Sequence, residues 1–479
     1  MAITTRFAAI DAMPELPRAV PPDWNRIGRR FKQYVLNPEN RVMFVNGKGN
    51  SHFAAFHDGT GEELITLGGV VLGCIFQGED VSPYMRSLRD FYHPDHRMFF
   101  NRPKGAPKAE MMEYWYLMFV NALAAGIVKR KAGEEPELVP MLRDSMDGLI
   151  RLAHRVRYDF NDQGFDFDHD VPFTFREEFR QPDSLGGYAY LMVFAYDMFG
   201  EDRYLTEARI AMDRYLAFPD NPWYEMPNTA MACPAAARLN RLGSRYDVGR
   251  AVSYAFDHEK GPLHVGKWGD REVSGLMRGW FGNLDESELR IAYSLETLVL
   301  LPYLLPALKE EPELAGPVGK YALHAASNAQ WFFADRMPEQ SQSTPHFAPD
   351  VPYENLIHRA EGPTPYASGD FFGHRSVYGG AMTIWWDAMM SRTEDPFIWL
   401  WDLDTTDFLG RDEEEGTRHL LIYNPYAEAR TVRASLPDGG PYRGEALGAG
   451  TRLFDRAEGF ADVRVPAGTG MVLRLERLP

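Results

Sequence analysis

A chain of 479 residues, 45% hydrophobic and 13% aromatic, has apolar material for one large domain and a small one, and it is not disordered. Its 68 acidic residues against 51 basic ones leave a net charge of -17, which repels phosphate backbones and anionic membrane surfaces and so excludes nucleic acid and membrane as expected partners. The opening MAITTRFAAIDAMPELPRAVPPDW lacks an apolar core of signal-peptide length, and no later run approaches the roughly 20 apolar residues of a membrane span, so a cytoplasmic protein is expected.

Beyond that proline-rich opening, apolar residues at helical spacing recur in close pairs of segments. EELITLGGVVLGCIFQG is followed by VSPYMRSLRDFY, AEMMEYWYLMFVNALAAGIVKR by PELVPMLRDSMDGLIRLAHRV, and GGYAYLMVFAYDMFG by DRYLTEARIAMDRYLAF. The fourth pair is NTAMACPAAARLNRLG with RYDVGRAVSYAFDH. The fifth is SELRIAYSLETLVLLPYLLPAL with GPVGKYALHAASNAQWFF, where Pro302 and Pro306 should kink or end the first member early. The sixth begins at SVYGGAMTIWWDAMM and is completed by either DPFIWLWDL or the early PDWNRIGRRFKQYVL. Cys74 and Cys233 lie in apolar helical segments with no zinc or redox spacing and are expected as buried free thiols.

First members are apolar on nearly all sides and second members amphipathic, which predicts an inner and an outer ring: a mainly α (α/α)6 toroid over residues 1–410. Tyr190, Met192, Ala230, Tyr293 and Trp385 are expected inside it. The short β-branched runs RHLLIYNPY, ARTVRASLP, TRLFD and ADVRVPAGTGMVLRLERL predict a small antiparallel β-sandwich over 411–479. The long connections are those leading into the inner helices, so the site is expected at the mouth where they converge.

Those loops carry the mixture a sugar requires, flat aromatic platforms flanked by Asp, Glu, Arg and His. The segment GKWGDREVSGLMRGW concentrates it, and Trp223, Tyr224, Trp268, Trp280, Tyr353 and Tyr366 are the candidate platforms. Glycoside cleavage needs two carboxyl groups. Asp166, Asp168, Asp170, Glu177, Glu178, Glu225, Asp270, Glu354 and Asp370 qualify by type. Asp270, Glu354 and Asp370 stand out because aromatic neighbours raise a carboxyl pKa. FDFDHD copies part of a calcium loop but lacks its sixth-position glycine, and reads better as a short strand. His93 and His96 in HPDH find no third ligand nearby, so no metal is expected. Glu296, within IAYSLETLVLL, reads as a hydrogen-bonded inner-helix acid.

NPWYE, RLNRLGSRYDV, WGDREVSGL, AYSLET, PYENL, PYASGD and LWDLDTTDF running into LLIYNPY, spread from Tyr188 to Tyr426, resemble the six-hairpin glycosidase superfamily and within it the bacterial β-glucuronidases of glycoside hydrolase family 154. The resemblance implies a carbohydrate-degrading exo-acting hydrolase without a cofactor, with Trp268, Asp270, Tyr353, Glu354 and Asp370 on pocket-building stretches. Where such a family often has a tyrosine or serine-rich turn before the last inner helix, this chain has FFGHR. A uronate also calls for cations beside the platforms, and Lys267, Arg271 and Arg278 answer that need. Two alternatives stay open: a lyase on uronic-acid glycans, with His358, Tyr366 and His374 as its chemistry, and a non-catalytic sugar-binding toroid. A homo-oligomer is compatible with all three.

Overall fold

A computed structural model describes residues 7–61, 63–279, 289–343, 350–359, 366–367, 375–410 and 416–479. In chain order its α-helices are α1 (Ala8–Ala12), α2 (Trp24–Leu36), α3 (Glu63–Phe76), α4 (Ser82–Met85), α5 (Tyr114–Lys131), α6 (Leu138–Arg155), α7 (Ser184–Phe199), α8 (Asp202–Leu216), α9 (Met226–Arg241), α10 (Val248–Ala255), α11 (Ser294–Leu304), α12 (Ala315–Asn328) and α13 (Val377–Met389). Helix α3 packs on α5, α5 on α7, α7 on α9, α9 on α11, α11 on α13, and α13 returns to α3. The ring is closed, as an (α/α)6 toroid demands.

A closed ring leaves its inner helices no wet face, and their side chains are buried almost throughout, including Tyr190, Met192, Ala230, Tyr293 and Trp385. Small residues let the helices approach: a Cβ at Gly187 of α7 would stand 2.2 Å from Asn228 Oδ1 of α9. Cys74 and Cys233 are buried free thiols, and burial pushes both up to about 12. Pro302 lies within α11, whose continuation Leu305–Lys309 tightens to a 3-10 turn, as the two prolines require.

The sixth pair is completed by α2, which packs along α13; DPFIWLWDL instead supplies the strand Trp399–Asp402. The outer member of the first pair is reduced to the single turn α4 and a 3-10 segment, Arg86–Phe91. Asp90 there is anchored to the preceding loop, accepting from Asn46 at 2.7 Å, Asn50 at 2.8 Å and Lys48 at 2.9 Å. FDFDHD forms the strand Gly164–Asp166 of a three-stranded sheet, with Asp168 and Asp170 in the turn that follows. No helix among the described residues is long and apolar enough to cross a membrane.

The first turns of the inner helices are satisfied largely from other elements. Asn101 accepts the N–H groups of Leu64 and Ile65 in α3, and Gln181 Oε1 accepts that of Trp115 in α5 at 2.8 Å. At α9 the arrangement is two-sided. Asp183 precedes α7 yet turns its Oδ2 to the N–H groups of Tyr224 and Glu225, at 3.1 and 3.2 Å, while Glu296 of α11 accepts from Met226. Three consecutive donors at a helix N-terminus thus meet acids from both neighbouring inner helices.

The β-sandwich pairs a six-stranded sheet with the hairpin-like pair Arg430–Ser435 and Phe460–Val465 around a core that includes Leu420, Ile422, Val432, Val463, Leu473 and Leu475. The larger sheet runs Met390–Arg392, Trp399–Asp402, Thr417–Asn424, Thr469–Arg477, Tyr442–Ala446, Thr451–Ala457, so its first two strands come from before residue 410. Helix α12 lies against the strands Thr417–Asn424 and Thr469–Arg477. A Cβ at Gly470 would stand 2.1 Å from the Ala315 carbonyl oxygen.

Two outcomes follow from this packing. Gly470→Ala has only backbone to push against and should lose about 1–3 kcal/mol of stability, read from the denaturant midpoint; an unchanged midpoint contradicts the close approach. Burial, offset by the Tyr224 and Glu225 N–H bonds, pushes the Asp183 carboxyl up to about 7. The native chain then keeps a proton that the unfolded chain releases near pH 4, so the group's stabilisation is full below about pH 4 and lost as pH rises toward 7. Asp183→Asn keeps an acceptor without titrating, and wild-type stability should decline relative to it across that window, by at most ~1.4 kcal/mol per pH unit. Parallel stability curves would refute the raised carboxyl.

Candidate functional site

Acids stand just before several inner helices, Glu113 before α5, Asp183 before α7 and Glu225 before α9. The strand Leu289–Tyr293 feeds α11 and pairs with Asn355–Arg359 in the register Tyr293 to Asn355. That register sets Glu354 opposite Ser294, whose N–H donates to the Glu354 carbonyl oxygen at 2.8 Å. Glu354 is 6% exposed, and Tyr378, in the first turn of α13, donates its hydroxyl to Oε1 at 2.7 Å.

Tyr293, next to Ser294, lies within reach of the charges of Glu354, Glu225 and Glu296, and Tyr224 within reach of those of Glu225, Glu113 and Asp183. Burial first, then the charges of Glu354, Glu225 and Glu296, raises the Tyr293 hydroxyl well above its ordinary value. Tyr224 is raised by burial and then by Glu225, Glu113 and Asp183. Both phenols are therefore neutral donors at any physiological pH. Glu113 is held by amide donors, from Gln163 at 3.1 Å and Gln181 at 2.8 Å. Glu296 is pushed up by burial, against the pull of the Met226 N–H.

Several sequence candidates meet beside the hairpin. Trp268 is wholly buried, its ring 5.1 Å from His264 and stacked 6.2 Å from His358. Arg278 bridges to Ala292 and donates to the Gly261 carbonyl at 3.1 Å. Tyr353 is buried under Arg375, whose guanidinium carbon is 3.9 Å from the ring centroid, and Tyr366 bridges to Ile357. Trp223 and Tyr224 are buried at the entry to α9. Lys267 and Asp270 stand exposed on a small hairpin, Asp270 in its turn, and no described contact joins either to the buried carboxyls. Trp280, Asp370 and His374 lie outside the described residues.

Residues that sequence reasoning passed over are Glu113, Asp183, Tyr378 and Arg375. Asp183 had a local signal, an Asp-Ser pair immediately before an all-apolar helix, but its partners lie 41 and 42 residues away. Among the described residues no group of three or more His, Cys, Asp or Glu side chains is arranged to hold a metal ion. What the cluster supports chemically is acid-base work, since carboxyls of different burial and partnering sit at the end of one ring.

No family model matches this chain, and no curated protein matches it. Among solved structures, a family 76 glycoside hydrolase (mannosidase) from Bacteroides thetaiotaomicron VPI-5482 is 10% identical, covering 77% of this chain and 97% of its own, with a TM-score of 0.49. The cellobiose 2-epimerase of Spirochaeta thermophila DSM 6192 is 11% identical, covering 78% of this chain and 98% of its own, with a TM-score of 0.47. An α-1,6-mannanase of Salegentibacter sp. HEL1_6 is 12% identical, covering 76% of this chain and 98% of its own, with a TM-score of 0.43.

Proposed function

We propose that the chain is an exo-acting glycoside hydrolase of a glucuronide or related acidic oligosaccharide, of the family 154 β-glucuronidase kind that its motifs resemble, working without a cofactor. The observation that carries the reading is Glu354: a nearly buried carboxylate, given a hydroxyl donor by Tyr378 and set among other acids and phenols where the inner helices begin. Hydrolysis of a glycosidic bond needs one carboxyl to activate water or attack carbon and another to protonate the leaving oxygen. Tyr378 supplies the partner that a carboxylate anion takes, which suits Glu354 to the first of these parts. Lys267 and Arg278 are the proposed partners of the substrate uronate, and Trp268, Tyr353, His358 and Tyr366 build the wall behind it.

Glu354→Gln should fold with an unchanged thermal midpoint and lose on the order of a hundred-fold or more in kcat on an acidic oligosaccharide. Asp270→Asn and Asp370→Asn in the same assay rank the remaining sequence candidates. Wild-type turnover in Glu354→Gln removes the site as drawn, and an unsaturated, ultraviolet-absorbing product replaces hydrolysis with elimination.

A further inference from the structure

We infer that Glu225 is the proton donor of this cleavage, standing on the other side of the first turn of α11 from Glu354. The inference rests on the hydrolase reading and deepens it. Glu225 immediately precedes α9, and the backbone that carries it is held from two directions: its own N–H and that of Tyr224 bond Asp183 of the α7 entrance, and the next N–H, of Met226, bonds Glu296 of α11. Ser294, two residues before Glu296 on the same turn, donates to Glu354. The two carboxyl-bearing segments therefore dock on one short stretch of α11, and Tyr293, which directly precedes that stretch, lies within reach of the charges of both.

A second observation points to a ligand there. Trp223, two residues before Glu225, is 2% exposed, and its indole Nε1 has no hydrogen-bond partner among the described residues. A buried N–H without an acceptor is costly unless something brings one, and a sugar hydroxyl is an acceptor of the right kind. Glu225 itself is 9% exposed, so it is largely but not wholly out of water.

The proton balance is closed by these two residues. As the bond from the anomeric carbon to the leaving oxygen breaks, that oxygen takes the proton of Glu225. A water adds its hydroxyl to the anomeric carbon and gives its other proton to Glu354; the leaving group departs with Glu225's proton, and the pair is reset when Glu354 loses a proton to solvent and Glu225 regains one. Asp183 and Glu296 touch no substrate in this scheme and act as positioning residues, by fixing the peptide on which Glu225 rides.

The test uses leaving groups of different acidity. 4-Nitrophenyl β-D-glucuronide releases a phenolate that needs no protonation, whereas a glucuronyl disaccharide releases an alkoxide that does. Glu225→Gln should keep kcat within about ten-fold on the aryl substrate and lose a hundred to ten thousand-fold on the disaccharide, with the alkaline limb of its pH profile gone. Glu354→Gln should lose both activities. If Glu225→Gln does not fold, Glu225→Asp, which keeps the acid and shortens its reach, should show the same dependence on leaving group in milder form. Wild-type cleavage of the disaccharide by the Glu225 variants, or equal loss on both substrates, overturns the assignment. A wild-type enzyme that cleaves neither substrate overturns the hydrolase reading, and this inference with it.

Discussion

An α-helix begins with N–H groups that its own carbonyls cannot reach, and a helix buried on all sides has little water to offer them. Six such helices arranged in a ring bring that deficit to one end of the molecule. The chain meets it with side chains drawn from neighbouring elements: Asn101 for α3, Gln181 for α5, Asp183 and Glu296 for α9, with the Glu354 carbonyl serving α11. Acids are well suited to this duty, because the positive end of the helix dipole partly offsets the cost of burying them. The same requirement that closes the ring therefore stocks its mouth with carboxyl groups, and some of these are then available for chemistry.

Duty and chemistry are divided by what each acid touches. Asp183 and Glu296 face backbone donors, and burial raises both. Glu354 caps with its main chain only, leaving its carboxylate to Tyr378. Glu225 gives its N–H to Asp183. In Glu354 main-chain and side-chain work are thus separated within a single residue.

Helix pairing was legible in the amino-acid sequence because burial on all sides and burial on one face leave different patterns, as GGYAYLMVFAYDMFG and DRYLTEARIAMDRYLAF show. The partner of α13 was open between two segments because both DPFIWLWDL and PDWNRIGRRFKQYVL are short and aromatic, and only tertiary packing chooses. The candidate site was legible in part. Glu354 stood out through its neighbour Tyr353, but Tyr353 packs beneath Arg375, and the acid's partner is Tyr378, 24 residues on. Trp268 looked like an open platform and is enclosed by two histidines, since a chain segment's exposure is decided by what folds over it. Asp183 pairs across 41 residues, a separation at which local spacing carries no information.

The larger sheet of the sandwich takes its first two strands from the segment that leaves α13, and its two central strands rest on α12. Ring and sandwich therefore share hydrogen bonds, and no peptide bond separates one complete fold from the other. A toroid cut loose after residue 410 would present the strand Trp399–Asp402 with an unpaired edge, ready to recruit any extended chain it met. For anyone dissecting the molecule, the unit to keep intact is then ring and sandwich together.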